Sequence, residues 1–155
     1  MSGGMNVDIR GAVVNYFGAL PRQIIDNLAY TDYFPAEDVA EIVEKIGVRQ
    51  RRFADAGTCA SDLCFAAAEK LIADMQVDRS EIDLLLFISQ TPDYRMPATS
   101  IILQHRLGLA DTTIAFDISI GCSGFLYGLS IAYALLQQKG LRKALVLDGE
   151  TRSKV

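Results

Sequence analysis

The sequence has no tryptophan, one histidine and three cysteines among its 155 residues. A zinc site is not expected, because His105 is the single histidine and the cysteines form no C-x-x-C pair. Cys59, Cys64 and Cys122 are odd in number and irregular in spacing, which argues against a disulfide framework. The low numbers of histidine and cysteine residues predict that the protein binds no metal. They also predict that it works in a reducing compartment, the cytoplasm.

The sequence also lacks an excess of positive charge and any long hydrophobic run. The net charge is −4 and the isoelectric point is about 4.9, so we expect no nucleic-acid partner and no anionic membrane surface as a partner. No apolar run approaches the ~20 residues of a membrane span, and residues 1–10 lack the features of a secretory signal. Hydrophobic residues make up 50% of the chain, which is enough for a large core.

Strands and helices are predicted to alternate along the chain, as in a single α/β domain covering residues 1–155. The continuous apolar run over residues 84–88 is typical of a strand covered on both faces. We therefore expect a mostly parallel central sheet layered with helices. Pro35 suits the start of a helix, and Gly47 suits its end. The predicted strands are 6–16, 84–88, 112–119 and 143–150, and the predicted helices are 35–46, about 60–75, 98–107 and 123–139.

Other features of the sequence have ordinary structural interpretations. Residues 18–34 predict a turn and an irregular connection. Residues 48–55 (VRQRRFAD) are basic and predict either a short strand or loop, or a solvated charged segment. Cys64 lies in the apolar stripe of the second helix and is predicted to be a small core residue. Cys59 has no nearby base and is also predicted to be structural, and His105 is expected on the flank of its helix.

Cys122 stands where a predicted strand gives way to a predicted helix, in the stretch AFDISIGCSGFLYGL (115–129). The first N–H groups of a helix are unpaired and lie at the positive end of its dipole, which favours a nucleophilic thiolate. We expect Gly121, Ser123 and Gly124 to leave space for a substrate carbonyl, and the N–H of Cys122 to contribute to an oxyanion hole. The alternative is a buried cysteine that fills a tight turn.

The glycines around Cys122 do not form a nucleotide-binding motif. Their spacing, Gly121, Gly124 and Gly128, differs from the G-x-G-x-x-G pattern and lacks the Lys-Ser/Thr of a phosphate loop. It also differs from the G-x-S-x-G nucleophile elbow, because Ser123 directly precedes Gly124. A nucleotide-binding α/β protein, with phosphate at the 121–124 turn, remains an alternative of a different class.

Five segments in order resemble one protein family. They are GVRQRRFA (47–54), SDLCFAAAEKLI (61–72), IDLLLFISQTPDYRMP (82–97), LGLADTTIAFDISIGCSGFLYGL (107–129) and KALVLDGETRS (143–153). Their order and spacing resemble the β-ketoacyl-acyl-carrier-protein synthase III family of the thiolase-like superfamily. The resemblance implies a thiolase-like half, covering most of the amino-terminal half of a longer chain.

The resemblance implies a decarboxylating Claisen condensation. Cys122 would take an acyl group from acyl-coenzyme A, and malonyl-acyl-carrier-protein would lose carbon dioxide and attack the resulting thioester. These two molecules would be substrates, and no further cofactor is implied. Family members are homodimers, and they use a His and an Asn from a carboxyl-terminal half that these 155 residues lack. We therefore expect the chain alone not to complete the condensation.

Two further substrate-binding candidates come from the same resemblance. Many family members hold coenzyme A with a Trp and an Arg, and Glu41 and Lys45 align with those places. The missing tryptophan favours a carrier-bound donor or a specialised pathway. Met96 aligns with a residue that reaches the partner subunit's acyl pocket, and the alternative for it is a loop residue packed in a dimer contact. The alternative function is a non-catalytic member of the fold that serves in assembly or binds a carrier protein.

Overall fold

The computed structural model describes residues 18–154. The strand predicted over residues 6–16 lies outside this range. Five strands and four α-helices occur within residues 18–154. They are β1 (Gln23–Asp26), α1 (Ala36–Ile46), β2 (Gln50–Phe53), α2 (Ala60–Asp74), β3 (Leu84–Ile88), α3 (Thr99–Arg106), β4 (Ile114–Ile118), α4 (Gly124–Leu136) and β5 (Ala144–Asp148).

Three parallel strands form the central sheet, in the order β4-β3-β5. In the middle of the sheet, Leu86 of β3 lies opposite Phe116 on one side and Val146 on the other. Every residue of β3 is at most 1% exposed, because both faces of the strand are covered. The continuous apolar run that predicted this strand therefore has the expected physical cause, and the predicted α/β class with a parallel sheet is confirmed.

The side chains of alternate residues of β3 pack into two separate hydrophobic cores, one on each face of the sheet. Leu85 and Phe87 pack with buried residues of α2 and α3 on one face of the sheet. Leu86 and Ile88 pack with Ala132 of α4 on the other face. Burial of one such side chain contributes about 1.5–3 kcal/mol to folding, so the two layers of helices are held by the same short strand.

The helix predicted to end at Gly47 does end there. Gly47 has φ 72°, and its N–H donates to the carbonyl oxygen of Val43 at 2.9 Å. A left-handed residue of this kind is favourable for glycine, which has no Cβ. Glu37 and Asp38 lie in the first turn of the helix, where they complement the helix dipole.

The prediction of an irregular connection over residues 18–34 was wrong in its middle. β1 lies there and pairs antiparallel with β2, with Gln23 opposite Phe53. β1 is four residues long and only partly buried, so it has no alternating apolar pattern that the sequence could reveal. Its partner lies in the basic segment 48–55, which forms a strand. Arg51 of that strand is not fully solvated, because it lies over the ring of Tyr30 at 4.4 Å.

Of the helices in residues 18–154, none is long and apolar enough to cross a membrane.

Candidate active site

Cys122 lies in the turn between β4 and α4, and its side chain is exposed. The N–H of Gly124 donates to the carbonyl oxygen of Gly121 at 2.6 Å and closes the turn. Ser123 is the N-cap of α4 and makes no side-chain capping bond. The structure thus places the thiol beside the amino-terminal end of a 13-residue helix. The alternative of a buried cysteine filling the turn does not hold.

The backbone around Cys122 offers hydrogen-bond donors. No residue between 18 and 154 accepts a hydrogen bond from the N–H of Cys122 or of Ser123. Unpaired N–H groups at a helix start carry partial positive charge and stabilise a nearby anion. The turn can therefore stabilise negative charge on the sulfur or on an acyl oxygen held next to it.

At the glycines around Cys122, other parts of the protein lie close on the side where a Cβ would stand. The expectation that Gly121, Ser123 and Gly124 leave space for a substrate carbonyl stays a prediction. A Cβ on Gly124 would lie 2.8 Å from Cγ2 of Ile88, and one on Gly128 would lie 2.3 Å from its Cδ1. A Cβ on Gly121 would lie 2.8 Å from Oε1 of Gln90. The place that a Cβ would take at each glycine is therefore occupied by protein, and these residues let α4 and its first turn approach the end of β3.

A cluster that the sequence analysis missed lies at the carboxyl ends of β3 and β5. The carboxylate of Glu150 accepts hydrogen bonds from the N–H of Gln90 at 2.6 Å and from the hydroxyl of Thr91 at 2.7 Å. The N–H of Thr151 donates to Thr91 Oγ1 at 3.0 Å. The segment that leaves β3 is thus fixed to the segment that leaves β5. No local sequence motif predicts this contact between Gln90 and Glu150, which are about 60 residues apart in sequence.

Met96 lies in the loop between β3 and α3, and it is 89% exposed. The loop leads into α3, whose first N–H groups are capped by a side chain from the next strand. Asp117 of β4 accepts hydrogen bonds from the N–H of Thr99 and of Ser100, both at 2.8 Å. The loop and the strand that leads to Cys122 are therefore tied together by one carboxylate.

Lys45 lies on the exposed side of α1, away from the turn in sequence and on a different element. Its ammonium group pairs with Glu41, one helical turn earlier, at 2.5 Å, and its side chain is 70% exposed. Glu41 and Lys45, the positions predicted to align with the family's Trp and Arg, therefore form one solvent-exposed ion pair. Such pairs contribute little to stability, so Lys45 is free to exchange Glu41 for another anion.

The other two cysteines have structural surroundings. Cys64 is buried in the core beside Gly149. Burial raises the pKa of its thiol to about 12, and the carboxylates of Asp148, Asp93 and Glu150 add to the effect. The predicted core role of Cys64 is confirmed. Cys59 caps α2, and its N–H donates to the side chain of Asp62 at 2.9 Å.

The remaining features have no direct link to Cys122. His105 is exposed in the last turn of α3. A cavity of about 880 Å³ is lined by Arg51, Cys64 and Glu150 among others, and Cys122 is not part of its lining. Within the described part of the chain, His, Cys, Asp and Glu side chains form no group of three or more that could hold a metal ion.

Comparisons with known proteins agree on one family. The profile of the family 3-oxoacyl-[acyl-carrier-protein (ACP)] synthase III matches residues 116–155, which include the Cys122 turn. A curated relative, the β-ketoacyl-[acyl-carrier-protein] synthase III of Novosphingobium aromaticivorans, is 38% identical over 149 residues. That match covers 96% of this chain and 45% of the relative. The chain thus spans slightly less than half the length of this relative.

Solved structures with the same fold include enzymes with different names. A 3-oxoacyl-(acyl-carrier protein) synthase from Burkholderia xenovorans LB400 is 41% identical, with a TM-score of 0.79, and the match covers 83% of this chain and 37% of that one. AbyA1, a tetronic acid condensing enzyme, is 28% identical, with a TM-score of 0.78. That match covers 90% of this chain and 45% of the enzyme. The predicted thiolase-like half is confirmed by these neighbours.

Proposed function

Because the chain belongs to the 3-oxoacyl-[acyl-carrier-protein] synthase III family, we propose that it takes part in a decarboxylating condensation of thioesters, with Cys122 as the nucleophile. The observation that carries this proposal is the place of Cys122. Its thiol is exposed at the amino-terminal end of α4, beside N–H groups that no described residue uses. A helix amino terminus is a setting that activates a thiol for attack on a carbonyl.

The first half of the reaction is acyl transfer to Cys122. The thiolate sulfur attacks the carbonyl carbon of an acyl thioester, and the bond from that carbon to the donor's sulfur breaks. The donor leaves as a thiol after taking up the proton that Cys122 lost. The N–H groups of Cys122 and Ser123 stabilise the charge that develops on the acyl oxygen. The product is an acyl-Cys122 thioester.

The second half extends the acyl group. Malonyl-acyl-carrier-protein loses carbon dioxide, and the carbanion attacks the carbonyl carbon of acyl-Cys122. The bond to the sulfur breaks, and the product is a 3-oxoacyl thioester on the carrier protein. Stabilising the carbanion is assigned by the family resemblance to a His and an Asn outside these 155 residues. His105 is not suited to that task, since it lies exposed on α3. Residues 1–155 are therefore proposed to support the acyl transfer and not the whole condensation.

The proposed partners are acyl carrier protein, acyl-coenzyme A and a second copy of the chain. The names of the relatives contain the acyl carrier protein, which supports that partner. Exposed large apolar side chains lie near Cys122 in sequence and in the loop before α3, and exposed apolar surface is typical of an interface. We propose that the homodimer forms here and that Met96 reaches the partner's acyl pocket. Lys45 is proposed to contact the donor. The exposed apolar residues are Met96, Ile120, Phe125, Leu126 and Tyr127.

A mass measurement on the intact protein tests the acyl transfer. Incubation with acetyl- or octanoyl-coenzyme A is expected to add one acyl group to the wild-type chain and none to the Cys122→Ala variant. Cys59→Ala is the matched control, because Cys59 is a partly buried cysteine at the start of another helix, and it should be acylated like the wild type. Acylation of Cys122→Ala at the wild-type rate would refute the proposal.

A further inference from the structure

Glu150 fixes the first residues that follow the central strand. One carboxylate oxygen accepts from the N–H of Gln90 at 2.6 Å, and the other accepts from the hydroxyl of Thr91 at 2.7 Å. Hydrogen bonds to a charged acceptor are stronger than those between neutral groups. The backbone of Gln90 is therefore held in one place relative to β5, and its side chain starts from a fixed α-carbon.

The side chain of Gln90 lies against the turn that carries Cys122. An ideal Cβ on Gly121 would come within 2.8 Å of Oε1, 2.9 Å of Cδ and 3.0 Å of Nε2 of Gln90. The amide group of Gln90 thus lies close to the α-carbon of Gly121, in the place that a Cβ would take there. The carbonyl oxygen of Gly121 accepts the 2.6 Å hydrogen bond from Gly124 that closes the turn. Direct contacts therefore connect Glu150, Gln90, Gly121 and the two ends of the Cys122 turn.

We propose that Glu150 is a positioning residue for Cys122 and acts through the side chain of Gln90. This inference rests on the proposed role of Cys122. The thiol must approach a carbonyl carbon along a narrow range of directions, and a misplacement of about 1 Å can cost roughly a hundredfold in rate. The unpaired N–H of Cys122 must keep its direction for the same reason. A clamp on Gly121 holds both groups without touching the substrate.

The test compares Glu150→Ala, Gln90→Ala and the double variant in the full chain. The first readout is the hydrogen-exchange rate of the Gly124 amide, which reports the turn without any substrate. The second is the rate of acetyl transfer from acetyl-coenzyme A to Cys122. Each single variant should raise the exchange rate and lower the transfer rate, each by about tenfold. The double variant should be no worse than either single variant, because both act through one contact.

Two further variants separate positioning from general loosening. Glu150→Gln can still accept from the N–H of Gln90 and can donate to Thr91, so both rates should stay close to wild type. Asp83→Ala is the matched control. Asp83 accepts from the N–H of Arg142 at 2.7 Å, and it joins the same two strands at their opposite, amino-terminal ends. It should leave the Gly124 amide and the acetyl transfer unchanged.

Several outcomes would overturn the inference. These are an unchanged Gly124 amide in Glu150→Ala, a double variant whose effect is the product of the single effects, or a faster Gly124 exchange in Asp83→Ala. Failure of the proposed function gives a different pattern. Wild-type protein would then show no acetyl transfer, while the exchange of the Gly124 amide would still report whether Glu150 and Gln90 hold the turn.

Discussion

Two cysteines in this chain show how position decides what a thiol can do. Cys64 stands between Leu63 and Phe65 in sequence, and Cys122 stands between Gly121 and Ser123. Cys64 is packed against Gly149 in the core, and its pKa of about 12 keeps it protonated at neutral pH. Cys122 is exposed beside the start of α4. The sequence predicted the core position of Cys64, which lies inside an apolar stripe. It placed Cys122 at the joint between a strand and a helix, and the structure decides against the alternative that Cys122 is buried.

The fit of Gly128 against Ile88 gives the first prediction. A Cβ at this position would lie 2.3 Å from Cδ1 of Ile88, and Ile88 is 1% exposed, so its side chain has little room to move. We expect Gly128→Ala to lower the free energy of unfolding by about 1–3 kcal/mol, as measured by chemical denaturation.

Controls for this prediction lie on the same helix and on the facing strand. Ser130→Ala, at an exposed position of α4, should change the free energy of unfolding by less than about 0.5 kcal/mol. Ile88→Val removes the clashing Cδ1, so the double variant Gly128→Ala with Ile88→Val should cost less than the sum of the two single variants. Additive costs would mean that the clash is not the cause.

At the scale of elements, the sequence predicted the helices and strands that have a signal in their own residues. The apolar run of β3, the glycine that ends α1 and the apolar stripe of α2 each carry their own signal. β1 has no such signal, because its residues are partly exposed. It is a strand because it pairs with β2. The role of Asp117 was also not predicted, since its hydrogen bonds reach the start of another helix.

Asp117 gives the second prediction. Its carboxylate caps the first two N–H groups of α3, at Thr99 and Ser100, which have no cap of their own. Removing an acceptor for partly buried donors costs about 1–3 kcal/mol. We expect Asp117→Ala to lower the free energy of unfolding by that amount and to speed hydrogen exchange at both amides.

Two variants check whether the hydrogen bonds of Asp117 are responsible. Asp117→Asn keeps one carbonyl acceptor and should cost less than Asp117→Ala. Asp111→Ala removes an exposed carboxylate in the turn before β4 and should leave the amides of Thr99 and Ser100 unchanged. Equal effects of Asp117→Ala and Asp111→Ala would contradict the capping role.

At the scale of the whole molecule, the candidate site combines a predicted part and an unpredicted part. The turn around Cys122 could be placed from sequence, because it lies between two elements with clear local patterns. The residues that support this turn could not be placed from sequence. Gln90 and Glu150 are about 60 residues apart, and they meet because β3 and β5 pair in parallel. Residues that follow neighbouring parallel strands converge at one edge of a sheet, but the sequence does not say which of them touch.

The charges that tie the elements together give the third prediction, on pH. A hydrogen bond from the backbone N–H of Arg142 lowers the pKa of Asp83 below its usual 3.8. The guanidinium of Arg79 lowers the pKa of Glu69 below its usual 4.5. Carboxyls with lowered pKa values stabilise the fold above their usual pKa, and this contribution is lost as the pH falls through the lowered values. We expect the midpoint of thermal unfolding to fall steadily below about pH 4.

A single substitution tests the assignment of this acid sensitivity. Asp83→Asn should lower stability at neutral pH and make the decline in acid less steep, because one titrating group is gone. Asp148 acts in the opposite direction. Asp148 is exposed at the end of β5, but partial desolvation there and the nearby charge of Glu150 raise its pKa, so its ionisation as the pH rises costs stability. Asp148→Asn should therefore raise stability at neutral pH relative to acid. For Asp83, a decline in acid that Asp83→Asn leaves unchanged would contradict the assignment.

The alkylation rates of the three cysteines in the folded chain test the central claim most directly. Iodoacetamide is added at near-neutral pH, and peptide mass spectrometry gives the rate at each site. We predict that Cys122 reacts more than about tenfold faster than Cys59 and Cys64, and that the three rates converge in denaturant. Equal rates in the folded chain, or faster reaction at Cys59 or Cys64, would contradict the assignment of Cys122 as the nucleophile.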